Sequence, residues 1–163
     1  MAKAVVKKRK YSLFVSLILK HLLVSKPTIL LASTCTIGSI MMTWASLDLG
    51  LSFILSSIAI IALFIAGTLL HELVHFAILD IDVSVMLSNH MIQLEPLDYV
   101  PLERLYLATV SGPLVPSMIG LIVLKYYPEY FLALIPLLLQ SINIVFDLSG
   151  ILGLMGDEHV TSN

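Results

Sequence analysis

Residues 71–75 read His71-Glu72-Leu73-Val74-His75, and they lie within a long apolar run from Leu51 to Leu79. On a helix, histidines four apart fall about 40° from each other on one face, one turn apart. Two imidazoles so placed can hold one zinc ion, and Glu72 between them is close enough to act as base toward water activated by that ion. In apolar sequence each such polar residue costs free energy, so the cluster demands an explanation. Two explanations compete at this point: a metal site, or a polar seam packed between helices.

The elements that must position these residues are membrane spans by composition. The 163 residues are 58% hydrophobic and only 12% charged, against roughly a quarter charged in an ordinary soluble domain. Seven of the nine Lys and Arg residues precede residue 27: Lys3, Lys7, Lys8, Arg9, Lys10, Lys20 and Lys26. A basic flank beside apolar sequence sets topology, with the N-terminus on the cytoplasmic side; a nucleic-acid tail is the weaker reading, and no nucleic-acid partner is expected. Leu13 to Leu19 is interrupted by Lys20 and His21 with no small-residue cleavage site close behind, so it reads as retained rather than as a signal peptide. The single cysteine, Cys35, excludes an intramolecular disulfide and reads as a packing residue.

Residues 1–26 are expected to form a basic cytoplasmic terminus and an interfacial helix, 27–157 a transmembrane core, and 158–163 a tail. Pro27 to Leu47 holds 21 residues without a charge, enough to cross a hydrocarbon core of about 30 Å. Asp48-Leu49-Gly50 reads as a tight turn, and Leu51 to Leu79 as the span that returns to the cytoplasmic side. Partial alternation over Asp82–Leu87 and Met91–Glu95, around Ser88-Asn89, predicts a short β-hairpin at that surface. A third span over about Leu105–Leu124 contains Ser111-Gly112-Pro113 and Pro116, which favour close helix contact and a kink. The fourth is expected to run unbroken from near Tyr130 to about Met155. The fold class is therefore an all-α polytopic membrane protein with about four spans, an interfacial helix and a short hairpin, most simply in the cell membrane.

A catalytic zinc site generally has three protein ligands and one open position. Depth selects among candidates for the third. At 1.5 Å per residue, His71 lies about 13 Å from the end of its span at Asp80, and Asp147 about 15 Å from Asp157 on the same side. Ser111 falls at about 10 Å. Asp147 is thus the first choice. Asp157 is the alternative, reachable if the chain breaks at Gly150, Gly153 or Gly156. Gln140, Asn143 and Asp147 stand three and four apart and form one polar stripe. An ionised carboxylate at that depth needs a cation, whereas Gln140 reads as interhelical glue. Asn143 is a candidate for holding a substrate main chain or an oxyanion, or for orienting Asp147. His21, His90 and His159 fall at expected surfaces and read as solvated.

These motifs resemble the site-2 protease family of intramembrane zinc metallopeptidases. The resemblance covers about residues 51–150: His-Glu-Leu-Val-His in one span, Ser-Gly-Pro at 111–113 in the next, and Asn143 then Asp147 in the one after. It implies zinc held by His71, His75 and Asp147, Glu72 as catalytic acid and base, and Asn143 positioning an extended substrate. The family pattern Asn-x-x-Pro followed by Leu-Asp-Gly is replaced here by Asn143-Ile-Val-Phe146 and Asp147-Leu-Ser-Gly150. It implies a minimal core without appended regulatory domains.

The expected activity is hydrolysis of peptide bonds in transmembrane protein or peptide substrates. The hairpin at 82–95 is expected to hold the unwound segment by edge pairing. A metal-ion transporter would need more ligands for a relay, and a di-iron hydroxylase more than five histidines. A non-catalytic membrane scaffold would have no need of Glu72.

Overall fold

The computed structural model describes residues 2–88 and 92–149, so the expectations for His90, Asp157 and His159 lie outside the described residues. Along the chain run β1 (Ala2–Val6), α1 (Tyr11–Val24), α2 (Lys26–Ala45), α3 (Leu47–Leu79), β2 (Val83–Leu87), β3 (Ile92–Pro96), α4 (Leu102–Tyr126) and α5 (Phe131–Leu138). A 3-10 turn over Leu139–Ile142 follows, and residues 143–149 are α-helical again; we label them α6. Four helical segments are long and apolar enough to cross a membrane: α2, α3, α4 and the composite Pro128–Ser149.

α2 starts where Ser25, in extended conformation, accepts from Thr28 N–H, with Pro27 in the first turn. There Pro loses no helical hydrogen bond, because the first N–H groups have no partner in any case. The connection to α3 is a single residue, Ser46, which is extended and accepts from Leu49 N–H at 3.1 Å. The turn expected at Asp48-Leu49-Gly50 is therefore moved back to Ser46. Asp48 instead occupies the first turn of α3, where a negative charge suits the helix dipole. Gly50 is helical and lets α2 approach, since a Cβ there would meet the Thr43 backbone at 2.7 Å.

α3 has 33 residues, about 50 Å of helix. It ends at Asp80, whose backbone is left-handed (φ 46°), a conformation that Asp tolerates better than most side chains. Arg104 Nη1 donates to the Leu79 carbonyl at 3.5 Å, bringing a cation to the negative end of the helix. The β1–α1 turn docks on the same corner. Lys8 N–H donates to Asp82 Oδ1 at 2.8 Å, and Arg9 Nε lies 3.8 Å from Asp80 Oδ1.

The hairpin expected around Ser88-Asn89 is present as β2 and β3, and it carries an unexpected third strand. β1 pairs antiparallel with β2, Ala4 opposite Val85, and β3 pairs on the other side, Leu94 opposite Val85. The order β1-β2-β3 puts β2 in the centre. Its Val83 and Val85 are fully buried and join Val6, Phe14, Ile18, Leu22, Phe76, Leu79 and Ala108 in one core. That core gathers the sheet, α1 and the adjoining ends of α3 and α4. The helix predicted to lie at the interface is therefore also a packing element: Phe14 stacks on Phe76 with centroids 4.5 Å apart, and Tyr11 meets the same ring edge-on. Away from this end the apolar side chains face outward. Trp44 is 92% exposed, and Leu30, Met41, Leu55 and Val145 are each about two-thirds exposed.

Phe14→Ala removes one of the largest buried side chains and its stack on Phe76. We expect a loss of about 3–5 kcal/mol in reversible unfolding in mixed micelles. A loss below about 1 kcal/mol would contradict the packing role of α1.

Candidate metal centre

His71 and His75 stand one turn apart on α3, with ring centroids 4.6 Å apart. Asp147, on α6, reaches between them. Its Oδ2 lies 3.2 Å from His71 Nε2 and 3.8 Å from His75 Nε2. The three ligand atoms fall within 4.8 Å of one another, and the group could hold a metal ion. His71 is buried, and His75 and Asp147 are half-buried.

The hydrogen bonds around the cluster set its chemistry. Thr68 Oγ1 donates to the Phe64 carbonyl at 2.9 Å and accepts from Gln140 Nε2 at 3.2 Å. Gln140 thereby turns its Oε1 toward His71 Nδ1, at 3.2 Å, and accepts there and from Asn143 Nδ2 at 2.9 Å. The proton of a neutral His71 thus belongs on Nδ1. Its Nε2 lone pair faces Asp147. A lone pair opposite a carboxylate repels it unless a proton or a metal cation lies between them. His75 Nε2 and Asp147 Oδ2 are both buried without a hydrogen-bond partner. Buried polar atoms are seldom left unpaired, and a cation shared by all three atoms answers both difficulties. The donor set, two imidazole nitrogens and a carboxylate oxygen, suits a borderline divalent ion.

Two features of the neighbouring helices make the approach fit. Gly112 on α4 lies against His75, and a Cβ at that position would collide with the imidazole. Of the Ser111-Gly112-Pro113 motif it is thus Gly112, rather than Ser111, that the centre requires. The fourth apolar segment, predicted to be one unbroken α-helix, tightens into a 3-10 turn at Leu139–Ile142. Pro136 has already removed one N–H from its ladder. Ser117 Oγ, on α4, lies 3.1 Å from the Leu137 carbonyl as well as 3.0 Å from Pro113 O, so a side chain serves a carbonyl at the edge of the altered ladder. In a 3-10 turn residues three apart eclipse. Gln140 and Asn143 are brought into line, and their side chains are joined by a 2.9 Å hydrogen bond.

The residues singled out from sequence are therefore largely together. His71, His75 and Asp147 converge; Glu72 and Asn143 line the same cavity of about 480 Å³ as His71 and Asp147. Gln140 is more than glue, since it orients His71; its place on the stripe with Asn143 and Asp147 was the signal available for that role. His21, expected to be solvated, lines the cavity with Leu22 and Ser25, and Ile92 of β3 closes another side. α1 and the sheet thus wall the centre, which no local sequence pattern indicated.

No family model, curated protein or solved structure matches the chain. The site must be judged on its own geometry.

Metal analysis of purified variants tests that geometry. Asp147→Ala is expected to lose the bound ion, whereas His21→Ala and Asp157→Ala retain it; loss in Asp157→Ala alone would overturn the assignment of Asp147. Gln140→Leu leaves His71 Nδ1 without its acceptor and is expected to weaken metal affinity about 10–100-fold in competition with a chelator. Gly112→Ala pushes His75 aside and should fall to a similar or lower affinity.

Proposed function

We propose that the chain is an intramembrane zinc metallopeptidase that hydrolyses peptide bonds of membrane-embedded substrates, as its resemblance to the site-2 protease family implies. One observation carries the reading: two histidines and an aspartate converge on one point, and Glu72 faces the same cavity. Ligand atoms about 2.0–2.2 Å from one tetrahedral zinc stand roughly 3.3 Å apart. The separations of 3.2 and 3.8 Å between Asp147 and the two imidazoles support such a fit. Zinc so held supplies Lewis acidity, acidifying water toward neutrality and polarising a carbonyl oxygen.

The chain's own residues supply the rest. Glu72 follows a ligand directly, about 100° further round the helix, so its carboxylate borders the site without being consumed as a ligand. It accepts the proton of the attacking water and returns it to the leaving amine. Gln140 keeps His71 in one tautomer. Asn143 spends one N–H on Gln140; its second N–H and its carbonyl oxygen are free to hold a substrate main chain. A helical substrate hides its carbonyls and must unwind first. β3 is an edge strand, and Ile92 within it lines the cavity, so strand addition there would hold the unwound segment.

A multi-pass membrane location is supported by the four apolar segments and the outward-facing apolar side chains. The basic residues Lys7, Lys8, Arg9 and Lys10 lie at the sheet end of the bundle, and we assign that end to the cytoplasmic face. Against metal transport stands the single cluster able to hold an ion among the described residues; a relay needs successive sites.

Glu72→Gln keeps the ligands and removes the base. We expect zinc content to be unchanged and cleavage of a transmembrane peptide to fall about 10²–10⁴-fold. Cleavage at the wild-type rate would exclude the proteolytic mechanism.

A further inference from the structure

A second cavity, of about 420 Å³, opens beside the metal centre between α2, α3 and the last apolar segment. Its walls are apolar: Leu31 from α2, Ile60 and Phe64 from α3, and Leu132, Ile135 and Leu139 from the segment that carries Asp147. Its inner end is polar, formed by Gln140 and Asn143. Pro27, Phe64 and Asn143 line both this cavity and the one at the metal centre, so the two are contiguous. At the outer mouth Leu132 is 68% and Leu139 52% exposed, whereas Ile60 and Phe64 are half-buried. The size and the apolar lining with a few polar groups at one end are those of a ligand pocket.

We infer that this cavity is a specificity subsite that takes an apolar, branched or aromatic side chain of the substrate segment being cleaved. The inference rests on the proteolytic reading above and adds to it a position and a side-chain class. Phe64 precedes His71 by seven residues, two turns or about 10 Å along one face of α3. An extended chain covers that distance in about three residues. A substrate strand whose scissile carbonyl lies at His71, His75 and Asp147 therefore places the side chain about three residues away, on the side remote from the sheet, in the pocket. Asn143, at the junction, is where the main chain of that strand passes. Continuity with the catalytic cavity singles out the substrate as the occupant. A lipid chain could fill the apolar part, but it has no use for the amides at the inner end.

The probe is a synthetic transmembrane peptide with a central segment of Ala and Gly, in which a single Leu is moved position by position. Wild-type protein in vesicles is expected to cleave fastest when Leu stands about three residues from the cut. Ile60→Trp narrows the pocket, and the ratio of Leu-peptide to all-Ala-peptide cleavage should fall about tenfold. Phe64→Ala enlarges it, and the preferred side chain should shift from Leu toward Phe. Zinc content at the wild-type level shows that each variant has folded. A ratio unchanged in both variants, with Glu72-dependent cleavage intact, overturns the subsite and leaves the proteolytic reading standing. A second readout is independent of turnover. A photoreactive residue replacing Leu132 in the Glu72→Gln protein should cross-link to the Leu peptide; adducts with lipid alone overturn the inference. If wild-type cleavage does not depend on Glu72, the proteolytic reading fails instead, and the cross-link still decides whether the pocket receives the peptide.

Discussion

Three atoms that each present a lone pair, His71 Nε2, His75 Nε2 and Asp147 Oδ2, are held within 4.8 Å of one another in a largely buried place. Left to themselves they repel, and two of them have no hydrogen-bond partner. Such crowding persists if a proton or a metal cation is shared among them or if the surrounding packing outweighs the repulsion. The surroundings are built accordingly. Gly112 clears the space that His75 occupies, and Gln140 takes the outward nitrogen of His71 so that the inward one carries the lone pair. Each of these is a cost accepted by a neighbouring helix: a glycine and two prolines within α4, and a loss of regular α-helix before α6.

The two ends of the molecule bury their apolar side chains differently. At the sheet end the core is internal: Val83 and Val85 of the central strand are fully buried, Phe14 and Phe76 stack, and charged pairs such as Lys3–Glu95 sit at the surface. The exposed pairs contribute little, since water and salt screen them. Along α2 and the far half of α3 the apolar side chains face outward instead. Ser33, Thr34, Thr36, Ser39 and Thr43 on α2 return their hydroxyl protons to carbonyls four residues back. A hydroxyl satisfied within its own helix needs nothing from its surroundings, which is the condition that a hydrocarbon environment imposes. The candidate metal centre lies just beyond this core, with His71 eight residues from the C-terminal end of α3 at Leu79. On the proposed function, that placement would reconcile a reaction that consumes water with a scaffold that excludes it.

Much of this was legible in the sequence, and the reasons for success and failure are physical. His71 and His75 share a face because helical periodicity puts them there, whatever the tertiary context. The approach of Asp147 to the two histidines followed from matching depths along helices expected to end at common planes, while the alternative, Asp157, lies outside the described residues. The hairpin followed from alternation. Three things were not legible. β1 lies against a run of basic residues that masks it as a strand; it forms because β2 offers an edge and Val6 joins the core. The α2–α3 turn was placed at Gly50, since glycine commonly marks turns; here the absent side chain serves helix contact and Ser46 makes the turn. The role of α1 as a wall of the site depends on Phe14 finding Phe76, a contact between residues 62 apart that no local pattern encodes.

The 3-10 turn is the least expected feature and the one that joins the candidate site to the apolar cavity beside it. In a continuous α-helix Gln140 and Asn143 would stand about 60° apart around the axis, whereas at three residues per turn they align. Asn143 and Asp147 are then separated by one α-helical turn and remain on the same side. One short irregularity thus gives the segment three polar side chains in sequence: Gln140 for orienting a ligand, Asn143 at the junction of the two cavities, and Asp147 at the metal centre. An Asn-x-x-Pro pattern would supply a rigid break through proline. Here Pro136, four residues before Gln140, and the Ser117 hydroxyl on the Leu137 carbonyl accompany a comparable irregularity one turn earlier in the chain. The same irregularity leaves Leu139 at the mouth of the apolar cavity and Gln140 at its inner end, so the geometry that orients His71 also shapes the cavity beside it.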